Sequence, residues 1–223
     1  MRHVRDVRIP LRDGLWMACD LFMPDPMEGK FPALLELLPY RKNDYTATRW
    51  NAHHYFAARG YVAVRADVRG TGDSPGVARD EYTVEEQLDA VEAIAWLAAQ
   101  PWCSGRVGMF GTSYGGFNAI QVAMRRPPAL ACIAPHAATD HRYADDMHYY
   151  GGCLTALDQL PYPLRMVAQN ALPPSLDLPE WEEMWKERLD VEPWMLGWHR
   201  HQTYDAYWKQ GSLAADYGAI TCP

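Results

Sequence analysis

The segment Gly105-Arg-Val-Gly-Met-Phe-Gly-Thr-Ser-Tyr-Gly-Gly116 carries the plainest chemical signal in the chain. It reads as a short buried strand that turns around one serine and enters a helix of small residues, so Ser113 occupies a G-x-S-x-G nucleophile elbow. Glycines flank the serine for a steric reason. So tight a turn brings strand and helix backbones together, and a side chain at Gly111 or Gly115 is expected to collide there. The flanks agree, with the apolar run Val107 to Phe110 before the turn and Phe117, Ile120, Ala123 and Met124 after it at helical spacing.

A serine hydroxyl is a weak nucleophile near neutral pH, and it needs a general base, an orienting acid and donors for the developing oxyanion. The backbone N–H of Tyr114, at the helix start, is one natural donor. A second is expected from the loop after the strand Leu34–Leu38, which reads Pro39-Tyr40-Arg41-Lys42. The Tyr40 phenol is a candidate, and an aromatic ring that closes the end of the sheet is an equally good reading of the same residue.

The elements that must hold these groups follow from hydrophobic periodicity. Residues 3–10 and 15–23 alternate across Arg12-Asp13-Gly14 and predict an antiparallel hairpin. Ala33–Leu38 is apolar but for Glu36, as in a strand covered on both faces. A helix from Thr48 to Arg59 and a buried strand over Tyr61–Val68 complete a βαβ unit. Thr83-Val-Glu-Glu86 has capping-box spacing, and Val84, Leu88, Val91, Ile94, Ala95 and Ala98 form one apolar stripe behind it. The strand at 105–112, a helix to about Arg126 and a strand over Leu130–Ala134 continue the alternation. That order builds a mostly parallel sheet with helices on both faces, whose sites lie at the carboxyl ends of the strands. Beyond Asp140 the period is interrupted by prolines, and Glu180–Leu189 is the clearest helix.

Composition narrows the class. The 223 residues are 48% hydrophobic, enough for one sizeable core or a core with an attached subdomain. A net charge of −7 opposes a nucleic-acid partner, because phosphate neutralisation needs clustered Lys and Arg; Arg125-Arg126 reads as a solvated helix end. No apolar run is long enough to span a bilayer, and the first residues lack a signal-peptide pattern, so neither membrane nor export is expected and a cytoplasmic location is the default. Cys19, Cys103, Cys132, Cys153 and Cys222 are odd in number and form no C-x-x-C pair, which argues against disulfides and zinc and for reduced, mostly buried thiols. The many aromatics after residue 140 read foremost as packing of a helical subdomain, and secondly as a ligand pocket.

Three segments in order, Pro39-Tyr40-Arg41-Lys42, Asp67-Val-Arg-Gly-Thr-Gly-Asp-Ser-Pro-Gly76 and Gly111-Thr-Ser-Tyr-Gly-Gly116, resemble the α/β-hydrolases grouped as CocE/NonD hydrolases and Xaa-Pro dipeptidyl-peptidases. The resemblance covers the whole chain. It implies Ser113 as nucleophile, with the Tyr40 hydroxyl and the Tyr114 amide as oxyanion donors. Acyl transfer through a serine requires no cofactor, and since no His-x-x-x-His or carboxylate pair stands out in the chain, a metal is not expected. It also implies a core over 1–140, a mostly helical cap over 141–215, and a lead-in to the next core strand over 216–223. Arg69-Gly70-Thr71-Gly72 is then a structural loop under the site; G-x-G-x-x-G spacing is absent, so nucleotide binding is not expected. The implied substrates are a small-molecule ester or amide or a short peptide, and a homo-oligomer is open.

In this fold the triad runs Ser, acid, His. The resemblance places the acid and the histidine beyond Pro223, so the chain reads as truncated before the last core strands. A competing reading uses groups already present: Asp140, Asp145, Asp146, Asp158 or Asp205 with His136, His141, His148, His199 or His201, of which only His199 and His201 come late enough in the chain. His53 and His54 read as structural. Asp145, Asp146, Glu182, Glu183 and Glu187 are candidates to pair with a substrate ammonium, against the plainer reading of a solvated surface. The alternative to an enzyme is a catalytically silent fragment or binding module that keeps the pocket without a base.

Overall fold

The protein was analysed as a computed structural model, which describes residues 1–44, 52–155 and 160–223. Strand β1 (Arg2–Pro10) and β2 (Trp16–Met23) form the expected hairpin, and β3 (Phe31–Leu38) follows. Helix α1 (Ala52–Ala57) leads to β4 (Val62–Asp67), α2 (Val84–Ala98) to β5 (Cys103–Thr112), and α3 (Tyr114–Met124) to β6 (Leu130–His136). The first residues of the helix expected from Thr48, up to Asn51, lie outside the described residues.

These strands form one sheet in the order β1-β2-β4-β3-β5-β6. Pairs β3–β4, β3–β5 and β5–β6 are parallel, and only the hairpin and its junction with β4 are antiparallel. This is an α/β-hydrolase sheet. Strand parity separates its two faces. Val62, Val64, Ala66, Leu35, Leu37, Val107 and Met109 join the main core with α2 and α3. Phe22 and Ala63 turn the other way, onto Phe56 and Ala57 of α1. Glu36 shares that second face, where Arg65 donates to it at 3.2 Å and His53 approaches within 3.4 Å.

Two expectations for α2 fail in an instructive way. Thr83 caps the helix, its hydroxyl accepting the Glu86 N–H at 3.2 Å, but the Glu86 carboxyl does not reach back. It points into the core and is buried. The apolar stripe is also out of phase: Val84 and Leu88 are exposed, while Glu86, Gln87, Asp89, Ala90, Ala93, Ile94 and Leu97 face inward. Long-range partners make this possible, since Arg12 and Arg69 hold Asp89 and Arg125 donates to Gln87. Arg125 and Arg126 are therefore not simply solvated, and Arg126 binds the carbonyls of Gly218 and Ala219. Of the cysteines only Cys19 and Cys103 are buried; all five are free thiols.

After β6 come a two-residue pair of strands, β7 (Tyr149–Tyr150) and β8 (Cys153–Leu154), and the helices α4 (Pro161–Asn170), α5 (Trp181–Leu189), α6 (Trp194–Arg200) and α7 (Ala206–Lys209). Trp194, Trp198 and Trp208 are buried, so these aromatics serve packing. Among the described residues no helix is long and apolar enough to cross a membrane.

Candidate active site

Strand β5 ends at Thr112 and α3 begins at Tyr114, so the change of direction falls on Ser113, at φ +58° and ψ −120°. Holding a non-glycine residue at positive φ costs of order 1–3 kcal/mol and persists only where the surroundings determine it. Here the Ser113 N–H donates to the His136 carbonyl at 2.9 Å, and the Ser113 carbonyl accepts from Gly116 at 2.8 Å and Phe117 at 3.0 Å. The glycines matter as a pair, though a different pair from the one expected. A Cβ on Gly111 would stand 2.7 Å from the Gly115 backbone and one on Gly116 2.8 Å from the His136 carbonyl, whereas one on Gly115 meets nothing closer than 3.6 Å.

Tyr40 leaves the carboxyl end of β3, the strand beside β5, and is 8% exposed. Its phenol shares a hydrogen bond with the Ser113 side chain and accepts the Tyr114 N–H. Ser113, Tyr40 and the Tyr114 amide thus come together, as their sequence positions 73 residues apart do not require. Burial pushes the Tyr40 phenol above its ordinary range, so it remains a donor at neutral pH. Its ring meets Tyr114 edge-on at 6.1 Å, and the Arg165 guanidinium of α4 lies 5.0 Å from it.

The loop is pinned immediately after Tyr40. Arg41, at φ +68°, donates to the Pro173 carbonyl at 2.8 Å. The buried Lys42 ammonium meets Asp6 at 2.5 Å, Asp20 at 3.1 Å and Asp73 at 3.2 Å. Beneath it the Asp67 carboxyl accepts the N–H groups of Lys42 at 2.6 Å and Asp73 at 2.9 Å. Burial pushes Asp67 up to about 7. The Asp67–Gly76 turn packs on this carboxyl: a Cβ on Gly72, at φ +50°, would collide with the Asp67 side chain, so the position requires glycine.

Behind the turn, the Tyr114 phenol donates to Glu86 at 2.9 Å and accepts the Tyr82 N–H at 3.1 Å. A second buried cluster joins β7 and the segment after β6 to the α2 entrance. Glu81 accepts from Arg142 at 3.1 Å and pairs with His148 at 2.7 Å, with Tyr162 at 3.3 Å and half-buried Asp146 close by. Glu81, Asp146 and His148 are close enough to share a metal ion. The chemistry of the set opposes one, because Glu81 is committed to a guanidinium and the Glu81 and Asp146 charges hold His148 on its protonated side against burial. Sequence reasoning named Asp146 and His148 only as triad or ammonium-pairing candidates and Glu86 only as part of a helix cap; it missed Glu81 and Arg142, which burial marks out.

The other candidates are occupied elsewhere. The His136 ring meets Thr112 at 3.3 Å, His141 accepts the N–H groups of Tyr143 and Ala144, and His201 pairs with Asp205 at 2.6 Å. His199 is half-buried in α6, Asp140 bonds the Tyr217 phenol, and Asp158 lies outside the described residues. Asp146 is half-buried beside Glu81 and His148, whereas Glu182, Glu183 and Glu187 lie on the surface of α5.

The sequence pattern that defines the X-Pro dipeptidyl-peptidase (S15) family matches residues 13–223. The chain belongs to that family. Among curated relatives, cocaine esterase of Rhodococcus is 36% identical over 67% of this chain and 26% of its own length, and a putative serine esterase of Mycobacterium tuberculosis is 30% identical over 61% and 25%. A CocE/NonD family hydrolase of Staphylococcus aureus superposes with a TM-score of 0.80 at 23% identity, over 99% of this chain and 39% of that one. An α-amino acid ester hydrolase does so with a TM-score of 0.71 over 96% and 40%. These two likenesses establish the fold. The S15 chain spans about a quarter of the length of these curated relatives.

Proposed function

We propose that this S15-family chain carries the nucleophile and the oxyanion hole of a serine hydrolase that cleaves an ester or amide. The observation that supports this most is the convergence of Ser113, the Tyr40 phenol and the Tyr114 N–H at the carboxyl ends of two adjacent parallel strands. The turn at Ser113 serves as a nucleophile elbow. Ser113 Oγ attacks the substrate carbonyl and loses its proton to a general base, and the carbonyl oxygen becomes an oxyanion between Tyr40 and Tyr114. Collapse expels the leaving alcohol or amine and leaves an acyl-serine, which water hydrolyses. The chemistry needs no cofactor.

The relatives named for esters and for Xaa-Pro peptides frame the substrate class, a small ester or amide or a short peptide. Residues 1–140 act as the core and 141–215 as a cap over the site, with 216–223 returning to the edge of β6, where the Ile133 N–H donates to the Pro223 carbonyl at 2.9 Å. A fluorophosphonate probe tests the reading. Covalent labelling of the wild-type chain that disappears in Ser113→Ala is the expected result. Absence of labelling at every pH from roughly 6 to roughly 9, across the usual range of a histidine base, would favour a silent binding module instead.

A further inference from the structure

Arg188, in the last turn of α5, is 4% exposed, and its Nη1 and Nη2 donate to the carbonyls of Gly72 and Ser74, both at 2.8 Å. A guanidinium has five N–H donors. The one on Nε is buried and meets no acceptor. Among the described residues no carboxylate forms an ion pair with Arg188. Burial lowers the guanidinium to about 10, opposed by the more distant charges of Asp67 and Asp73, so it stays cationic at neutral pH. It is a buried charge without a counter-ion in contact.

Arg188 also lines a cavity of about 90 Å³ between α4, α5 and α6. Asn170, the last residue of α4, lines the same cavity, and its Oδ1 is buried with no donor. Most of the remaining wall is apolar, with Met166 and Val167 of α4, Val191 after α5 and Trp194 of α6. Glu192 shares the wall, but it is exposed and its carboxylate is held by Arg200 at 2.6 and 2.8 Å. The cavity therefore offers one cationic donor and one acceptor that no described residue satisfies. A water takes about 30 Å³, so about three would fill the space, yet each needs two to four polar partners and two orphan atoms are too few for that. One small solute that carries an anion and a hydroxyl answers both.

We propose that this cavity is a binding site for a short hydroxycarboxylate. The carboxylate accepts from Arg188 Nε, the hydroxyl donates to Asn170 Oδ1, and a tail of one or two carbons lies on the apolar wall. The volume limits the occupant, since pockets for larger ligands begin at roughly 300 Å³. Bound there, the solute joins α4 to α5 at the point where Arg188 holds the Gly72–Ser74 turn. The site shares no residue with Ser113, Tyr40 or Tyr114 and does not depend on the hydrolase reading.

Sodium lactate is the probe, compared with sodium propionate, which lacks the hydroxyl, and with sodium chloride at equal ionic strength. The thermal midpoint of the wild type is expected to rise saturably with lactate, by about 3–6 °C at roughly ten times the dissociation constant, less with propionate and least with chloride. Ala171→Leu fills the cavity from the end of α4 while keeping Arg188 and Asn170, and it is expected to abolish the lactate increment. Asn170→Ala should reduce the lactate response to that of propionate. Equal wild-type responses to lactate and chloride would leave only water in the cavity and overturn the proposal, whatever the variants do. Equal responses to lactate and propionate would rule against a hydroxycarboxylate, and a lactate increment that survives Ala171→Leu would put the binding elsewhere. Should Ala171→Leu not fold, saturation transfer from aromatic protein protons to the lactate methyl is compared between the wild type and Arg188→Met. Transfer that disappears with Arg188 supports the site, and equal transfer in both counts against it.

Discussion

Tyr40 contributes one atom to the site and a ring to the core, and the two can be separated. Tyr40→Phe keeps the edge-on packing against Tyr114 and removes only the hydroxyl that meets Ser113 and the Tyr114 amide. On the proposed role, loss of this oxyanion donor is expected to lower the rate of Ser113 acylation roughly 10- to 1,000-fold with little change in thermal midpoint, read by stopped labelling with a chromogenic ester or a fluorophosphonate. An unchanged rate would return Tyr40 to the role of an aromatic plug. Residue-level legibility was uneven. Ser113 stands out because its neighbours are forced to be small, whereas Tyr40 is one tyrosine among thirteen and gains meaning only from what its loop packs against. Glu86 was open to a wrong reading, because its spacing from Thr83 fits a capping box while its side chain turns inward to Tyr114.

At the scale of elements, β5 and α3 are welded at one crossing. Gly111→Ala places a methyl group 2.7 Å from the Gly115 backbone, where neither partner can rotate away. Overpacking of this kind costs about 1–3 kcal/mol, so the denaturation midpoint should drop and Ser113 labelling should fall with it, while Gly115→Ala, with no atom closer than 3.6 Å, should be the milder of the two. Equal stability for both variants would contradict the geometry. Strands and their order along the chain were legible because burial on both faces makes a continuous apolar run. The inner face of α2 was not. Its polar residues bond Arg12, Arg69, Arg125 and Tyr114, all distant in sequence, so local periodicity assigned the buried side to Val84 and Leu88.

On the scale of the molecule, the helices after β6 dock on the loops that surround the site. Arg188 of α5 is 4% exposed and donates to the carbonyls of Gly72 and Ser74, both at 2.8 Å. Trp194 donates to the Ala78 carbonyl at 2.8 Å and Tyr207 to Asp80 at 2.7 Å. Arg188→Met removes two charge-assisted bonds from a buried site and is expected to cost about 1.5–3 kcal/mol. Limited proteolysis should then cut between residues 141 and 215 at lower protease concentration than in the wild type; unchanged stability and cleavage would mean that the aromatic contacts alone hold these helices.

The sequence by itself determined the local events: where strands and helices alternate, where the chain must turn without a Cβ, and which serine stands on that turn. Each of these depends on neighbours a few residues away, through sterics and hydrophobic period. The meeting of Tyr40, Ser113 and the Tyr114 amide, the inward face of α2, and the burial of Glu86 against the Tyr114 phenol depend instead on groups brought together from β3, α2 and α3. A buried polar atom is defined by its partners, and those partners come into reach only when the sheet and its helices have packed.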